Sequence, residues 1–316
     1  MIALGFDTSC YTTSAALADE RGILASQRQL LPVGRGERGL RQSEAVFAHV
    51  RALPTLTEAL FAGADRRVDA VCASAAPRDG EDSYMPVFTV GVGYARAVAA
   101  ALHVPFFETT HQRGHLRAAR EDSGLRTDNY LALHLSGGTT DVLLVNGEAI
   151  SPLGCSMDLH AGQLVDRIGV KLGLPFPAGP ALEQLAAGAE DRSLVPVSVD
   201  EKALVCHLSG AEAQLSRMIE AGEATPAQIA AEVYGVLARS VLRLLKAASD
   251  QTGEKNVLLA GGVISSGRLR AMLGARNEKR RLGLSLYFGK PELSGDNAAG
   301  VALLGVERMM RHGDSA

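Results

Sequence analysis

His111 and His115 stand four residues apart in His111-Gln112-Arg113-Gly114-His115. On a helix that spacing puts both imidazoles on one face, within reach of a single metal ion. Gln112 occupies the place where a zincin-type peptidase carries its glutamate, so such a peptidase lacks its general base here. A third ligand must come from elsewhere. Asp296, in Leu293-Ser294-Gly295-Asp296-Asn297-Ala298-Ala299-Gly300, is a carboxylate in a glycine-containing turn that opens the last helix. Two histidines and one carboxylate leave coordination positions open, which suits iron or zinc polarising a bound group. The plain alternatives are two histidines on a helix surface and an aspartate that caps a helix.

Other residues suit anion binding. Ser136-Gly137-Gly138-Thr139-Thr140 is a tight turn whose backbone N–H groups and hydroxyls can face phosphate oxygens. Gly261 and Gly262 follow an apolar run and precede a helix beginning near Ser266, a junction that presents helix N–H groups to an anion or nucleotide. Asp166 shares a helix face with Gly162 and Gln163 and can accept from a ribose, or simply be solvated. The Pro175–Pro180 segment is a rigid turn that either lies beside a ligand or joins two helices. Basic residues group at Arg35, Arg38 and Arg41, at Arg113, Arg117 and Arg120, and at Arg276, Lys279, Arg280 and Arg281. They are solvated faces, or a phosphate-binding surface for RNA if they converge.

The elements that must position these residues fall into a repeated order. Strands are expected at Ile2–Phe6, Thr13–Ala18 and Ile23–Arg28, with a loop over 34–42 and a helix over Ser43–Phe61. A strand at Val68–Ala75, a helix at Pro86–Leu102, a strand at Val104–Phe107 and the helix carrying both histidines follow. Three strands then recur at Tyr130–Leu135, Thr140–Val145 and Glu148–Pro152. Later strands lie at Val257–Leu259 and near Leu284–Phe288. Displacing the first hairpin by 127 residues sets Ser9 on Ser136 and Thr12-Thr13 on Thr139-Thr140. This spacing predicts an internal duplication: two similar α/β lobes, 1–125 and 126–316, with a nucleotide cleft between them.

Composition narrows the class. The 316 residues suffice for two lobes, and a net charge of −3 excludes a bulk polycation. Aromatic residues, at 4%, are too sparse for a single-strand stacking platform. No apolar run is long enough to cross a membrane, and residues 1–20 lack the pattern of a secretion signal. Cys10, Cys72, Cys155 and Cys206 are widely spaced, which argues against a zinc ribbon or disulfide framework and for a reducing, cytoplasmic setting.

Taken together, the ordered motifs resemble the tRNA threonylcarbamoyladenosine transferase family, once called glycoproteases, over about residues 1–310. Gly5-Phe6-Asp7-Thr8-Ser9-Cys10 resembles its opening G-I-[ED]-T-S-C. His111 and His115 match its metal pair, and Asp296-Asn297-Ala298-Ala299 its late metal carboxylate. Leu135-Ser136-Gly137-Gly138 matches its V-S-G-G turn, and Asp166 the aspartate of A-F-D-K. Leu172–Pro180 is similar to L-G-L-x-Y-P-G-G-P, which puts Gly179 at a substrate contact and Glu183 at a ribose contact. Gly261-Gly262-Val263 matches G-G-V. The resemblance implies an actin/hexokinase-like duplicated fold, one divalent metal ion (iron or zinc) and an adenylate or ATP-type ligand. It further implies transfer of a threonylcarbamoyl group from threonylcarbamoyl-adenylate to adenosine in tRNA, with helper proteins. Dimer formation stays open.

Several family positions differ. Tyr11 and Thr12 replace two acidic residues, Thr139 replaces His or Asn, and Ser266 replaces Asn. Asp158-Leu159 stands for a paired D-D, and Gln163 for a glutamate. These changes suggest a divergent paralogue, and admit a catalytically idle nucleotide-binding subunit as the alternative. A sugar or acid kinase of the same fold is a further rival, although it has no use for paired histidines. His134 is a candidate fourth ligand or a buried strand histidine.

Overall fold

The computed structural model of the protein describes residues 1–9, 11–32, 40–62, 66–80 and 83–313. Cys10, Arg35 and Arg38, and with them most of the expected loop over 34–42, lie outside the described residues. In chain order the elements are β1 (Ala3–Thr8), β2 (Thr12–Asp19), β3 (Gly22–Leu30), α1 (Gln42–Phe61), β4 (Ala70–Ala76), α2 (Pro86–Leu102), β5 (Phe106–Thr110) and α3 (His111–Arg120). Then come β6 (Asn129–Leu135), β7 (Thr140–Asn146), β8 (Ala149–Ser156), α4 (Ala161–Lys171), α5 (Gly179–Ala186), β9 (Ser198–Asp200) and β10 (Val205–His207). The chain continues through α6 (Ser209–Ala221), α7 (Pro226–Thr252), β11 (Asn256–Ala260), a 3-10 turn (Gly262–Ser265) and α8 (Gly267–Arg280). It closes with β12 (Ser285–Phe288), α9 (Pro291–Ser294) and α10 (Ala299–Gly313).

The chain divides into two compact units, Met1–Glu121 with Gly295–Ala316, and Asp122–Ser294. The first sheet runs β3-β2-β1-β4-β5 and the second β12-β11-β6-β7-β8-β10-β9. Read from the other edge, the second contains the first: β6, β7 and β8 replace β1, β2 and β3, and β11 and β12 replace β4 and β5. The directions agree as well. Each triplet is antiparallel, and each first strand is flanked by a parallel neighbour. Even the register is kept. Asp7 pairs with Ser14 and Thr8 with Thr13, and 127 residues later His134 pairs with Asp141 and Leu135 with Thr140. The fold is thus a duplicated α/β architecture, as the hairpin repeat predicts, with β9 and β10 as an addition to the second sheet.

In the first unit, all six residues of β1 are buried, because helices cover both faces of the central strands. Leu4, Phe6, Leu17, Leu53 and Val71 form its core, each burial contributing about 1.5–3 kcal/mol. In the second unit, α7 is buried over most of its length and packs Val233, Leu237 and Leu244 against Leu131, Leu133 and Leu259. Thr225, Pro226 and Gln228 start α7 with a capping box and a proline at its first turn. The last helix sits in a different place from a simple cut of the sequence at 125. α10 packs on β1, β2 and β4 and belongs to the first unit.

Candidate metal centre and nucleotide turns

In the first unit, β5 ends in Thr110, which caps α3 by accepting from Arg113 N at 3.4 Å. Arg117 and Arg120 in the last turn suit its negative end. His111 and His115 therefore share one helix face. Two glycines let α10 reach them. A Cβ on Gly300 would lie 1.9 Å from Gly114 O, so these helices touch backbone to backbone between the histidines. Asn297 shapes the preceding turn, accepting from Ala299 N at 3.0 Å and donating to Gly295 O at 2.6 Å. Asn297, not Asp296, performs the capping, and the Asp296 carboxylate is left to face the histidines.

The ligand atoms converge. His111 Nε2 and His115 Nε2 are 3.0 Å apart. Asp296 Oδ1 lies 3.2 Å from His115 Nε2 and 3.5 Å from His111 Nε2. An ion about 2.1 Å from each ligand would set neighbouring ligand atoms about 3.0–3.4 Å apart, so the three residues fit one cation. His115 is buried, and His111 and Asp296 are partly open. Asp7, wholly buried at the end of β1, accepts from His111 Nδ1 at 2.9 Å. The second oxygen of Asp296 accepts from Ser9 Oγ at 3.0 Å and Thr12 Oγ1 at 3.4 Å. Burial resists charge on His111, but the Asp7 and Asp296 carboxylates outweigh it and hold the imidazole well above its ordinary pKa. Burial also resists charge on Asp296, and hydrogen bonds from His111 and His115 outweigh it and hold this carboxyl well below the usual range. Among the described residues, His111, His115 and Asp296 are the one group with the make-up and spacing of a metal site. His134 is not a member and lies buried on β6 of the second unit.

In the second unit, Ser136 N donates to Thr139 O at 2.9 Å, the same bond that Ser9 N makes to Thr12 O at 3.2 Å in the first. The start of α4 leans on this turn through Gly162 N, which donates to Ser136 O at 3.1 Å, and Ala161 N, which donates to Thr140 Oγ1 at 2.7 Å. Gly137 and Gly138 are exposed, and a Cβ on either would meet nothing within 4 Å. Packing does not demand glycine at either position; room for an approaching ligand would. Leu135, by contrast, is buried. A Cβ on Gly261 would stand 2.2 Å from Leu135 O, and its φ of 96° is itself strained for other residues. Gly261 therefore serves packing, while Gly262 faces open space.

Asp166, Gly179, Glu183 and Ser266 come together around Tyr234 on α7. The Tyr234 hydroxyl donates to Gly179 O at 3.2 Å. Burial first, then the Glu183 carboxylate, push this phenol up, with a smaller push from Asp166. Asp166 accepts from Ala178 N at 2.7 Å, and burial raises its carboxyl pKa against that bond. Glu183 accepts from Arg268 N at 2.8 Å, and Ser266 caps α8 by accepting from Leu269 N at 3.2 Å. The retained Asp158 and the substituted Gln163 are both committed to local structure. Asp158 accepts from Leu208 N at 2.9 Å at the start of α6, and Gln163 accepts from His160 N at 3.1 Å at the start of α4.

The basic groups are partly spent on ion pairs. Arg113 pairs with Asp79 at 2.6 Å, Arg117 with Glu121 at 2.7 Å and Arg276 with Asp191 at 2.7 Å. Lys279, Arg280 and Arg281 are exposed at the end of α8. The sequence alone marks neither Asp7, Ser9 nor Thr12 as supports of the His111, His115 and Asp296 group, nor Tyr234 as the hub of the second cluster. The placement of Asp7 and Ser9 in the G-F-D-T-S-C strand end was the available signal for the first set. Nothing local marked Tyr234.

Two sheets that share strand order and register, one in each unit, define a duplicated actin/hexokinase-like protein. Solved structures agree on this fold. A full-length HypF in its phosphate- and nucleotide-bound form is 14% identical with a TM-score of 0.61, covering 97% of this chain and 55% of that one. The HypF of T. kodakarensis is 17% identical with a TM-score of 0.62, covering 98% of this chain and 48% of that one. A ROK family glucokinase from Streptomyces griseus, solved with glucose and AMPPNP, is 15% identical with a TM-score of 0.55, covering 97% and 100% of the two chains. The chain spans about half the length of the HypF structures it matches. The profile of TsaD, tRNA N6-adenosine threonylcarbamoyltransferase, matches residues 35–303. The chain belongs to the TsaD family, and the match takes in both histidines, Asp296 and every turn residue of the second unit named above. Among the described residues no helix is long and apolar enough to cross a membrane.

Proposed function

We propose that the protein transfers a threonylcarbamoyl group from threonylcarbamoyl-adenylate to the exocyclic amine of an adenosine in tRNA. The observation that carries this reading is the convergence of His111, His115 and Asp296 within the stretch matched by the family. One divalent cation, iron or zinc, held by these three residues supplies a Lewis acid for the threonylcarbamoyl group. Gly137, Gly138 and Thr139 offer backbone N–H groups and Ser136 its hydroxyl to the phosphate of the adenylate, on a turn fixed by Leu135 and Gly261 and closed by the bond from Ser136 N to Thr139 O. Asp166, Gly179, Glu183 and Ser266 orient its nucleoside, with Gly262 leaving room beside it. The amine nitrogen bonds to the carbamoyl carbon, the bond from that carbon to the adenylate oxygen breaks, AMP leaves, and the amine loses one proton. Much of the acceleration comes from holding amine and carbonyl together. Lys279, Arg280 and Arg281 offer free charge to tRNA phosphates, helper proteins complete the system, and the setting is cytoplasmic. Either a monomer or a dimer is compatible with this chemistry.

The test is tRNA modification with supplied donor and the family's helper proteins, followed by nucleoside mass spectrometry. Wild type is expected to form the modified adenosine, and His111→Ala to form none. A second reading, a nucleotide-binding subunit without turnover, is favoured by Tyr11 and Thr12 in place of acids and by the Ser9 and Thr12 hydroxyls occupying Asp296 Oδ2. Stoichiometric binding of donor or ATP with no product in the same assay would select it.

A further inference from the structure

We infer that Asp7 is a positioning residue for the metal group: its carboxylate fixes His111 with the proton on Nδ1 and turns the Nε2 lone pair toward His115 and Asp296. The inference rests on the metal reading of those three residues.

An imidazole has two nitrogens, and only the one without a proton can ligate. His111 Nδ1 lies 2.9 Å from Asp7 Oδ1, while His111 Nε2 is the atom that faces His115 Nε2 at 3.0 Å. An acceptor-only carboxylate on one nitrogen demands the proton there and frees the other. Asp7 is placed to do this firmly. It is wholly buried near the end of a strand buried along its entire length, and its backbone carbonyl accepts from Ser14 Oγ at 3.2 Å. Among the described residues its other oxygen, Oδ2, has no hydrogen-bond partner, and His111 is the group its side chain is shown to bond. Charge balance points the same way. Asp7 and Asp296 together bring two negative charges to this pocket, which equals the charge of a divalent cation held by two neutral imidazoles. The remaining oxygen of Asp296 is held separately by Ser9 and Thr12, so each partly open ligand has its own support from the first hairpin.

Zinc is the probe, added to the full chain after chelation. In the zinc-loaded protein, nitrogen-15 NMR of His111 is expected to show the proton on Nδ1 and the metal on Nε2. Asp7→Asn keeps the shape and an acceptor oxygen but removes the charge. It is expected to raise the zinc Kd about 10- to 100-fold in a competition with a chromophoric chelator while retaining a cooperative melt. It should also shift the Nδ1 proton upfield. A folded Asp7→Asn protein with wild-type zinc affinity overturns the inference. So does a wild-type spectrum with the proton on Nε2, a result that needs no variant to fold. Zinc uptake that His111→Ala abolishes but Asp7→Asn leaves unchanged would keep the metal reading and remove only the role of Asp7. Wild type that takes up no zinc removes both.

Discussion

The two copies of the hairpin share strand order, register and the serine-to-threonine backbone bond across the turn, yet they use the turn differently. In the first copy the hydroxyls of Ser9 and Thr12 are occupied within the protein, on Asp296. In the second copy Gly137 and Gly138 occupy the middle of the turn, and a Cβ on either would meet nothing within 4 Å. On the proposed function, one turn serves as scaffolding for the ion site and the other is left open to a ligand. Duplication supplies the frame, and a few side chains set the two turns apart.

The sharpest way to break this contrast is to put a methyl group on each kind of glycine. Gly300→Ala must push α10 off Gly114 O, and we expect a loss of several kcal/mol, or insoluble protein, although alanine is the better helix former by about 1 kcal/mol. Gly137→Ala should melt as wild type but bind adenylate about tenfold more weakly, a loss of about 1.4 kcal/mol measurable by calorimetry. Equal effects on folding from both variants would erase the distinction. Next in size is the ion site itself: Asp296→Asn is expected to lower bound zinc or iron from one equivalent to near none by elemental analysis, with binding of adenylate to the second unit retained.

A third measurement follows the pH dependence of the chelated protein. His111 is raised above its ordinary 6.5, so its contribution is complete below that pH and fades as pH rises through the higher folded value. Asp296 is lowered below its ordinary 3.8, so its contribution is complete above that pH and fades as pH falls through the lower folded value. The melting temperature lost in His111→Ala should therefore be greatest between 3.8 and 6.5, and smaller at alkaline pH. The smallest effect concerns thiols and should not distinguish the units. Burial pushes Cys72 in the first up to about 12 and Cys206 in the second up to about 11. Both should resist iodoacetamide at pH 8 in native protein, while half-buried Cys155 labels before either of them, as peptide mapping would show.

Much of this was legible because it is local. Alternating and continuous apolar runs located the two hairpins, and the four-residue step from His111 to His115 described their shared face before any tertiary contact was known. Asp296 was legible through its motif, not through any spacing to His115. What sequence hid depends on long-range contact. The return of α10 to the first sheet, the Gly114–Gly300 approach and the bond from His111 to Asp7 each join segments that no periodicity links. The basic clusters show the reverse error. Arg113, Arg117 and Arg276 look free as sequence but are paired with carboxylates far along the chain or one helical turn away.

The return of α10 also sets an order of events during synthesis. Histidines 111 and 115 leave the ribosome long before Asp296, and the whole second unit is made between them. A nascent chain stopped or clipped anywhere in that interval carries two ligands, no third, and a first sheet bared where α10 should lie. On the proposed function, cation capture is thereby reserved for molecules translated past the second unit.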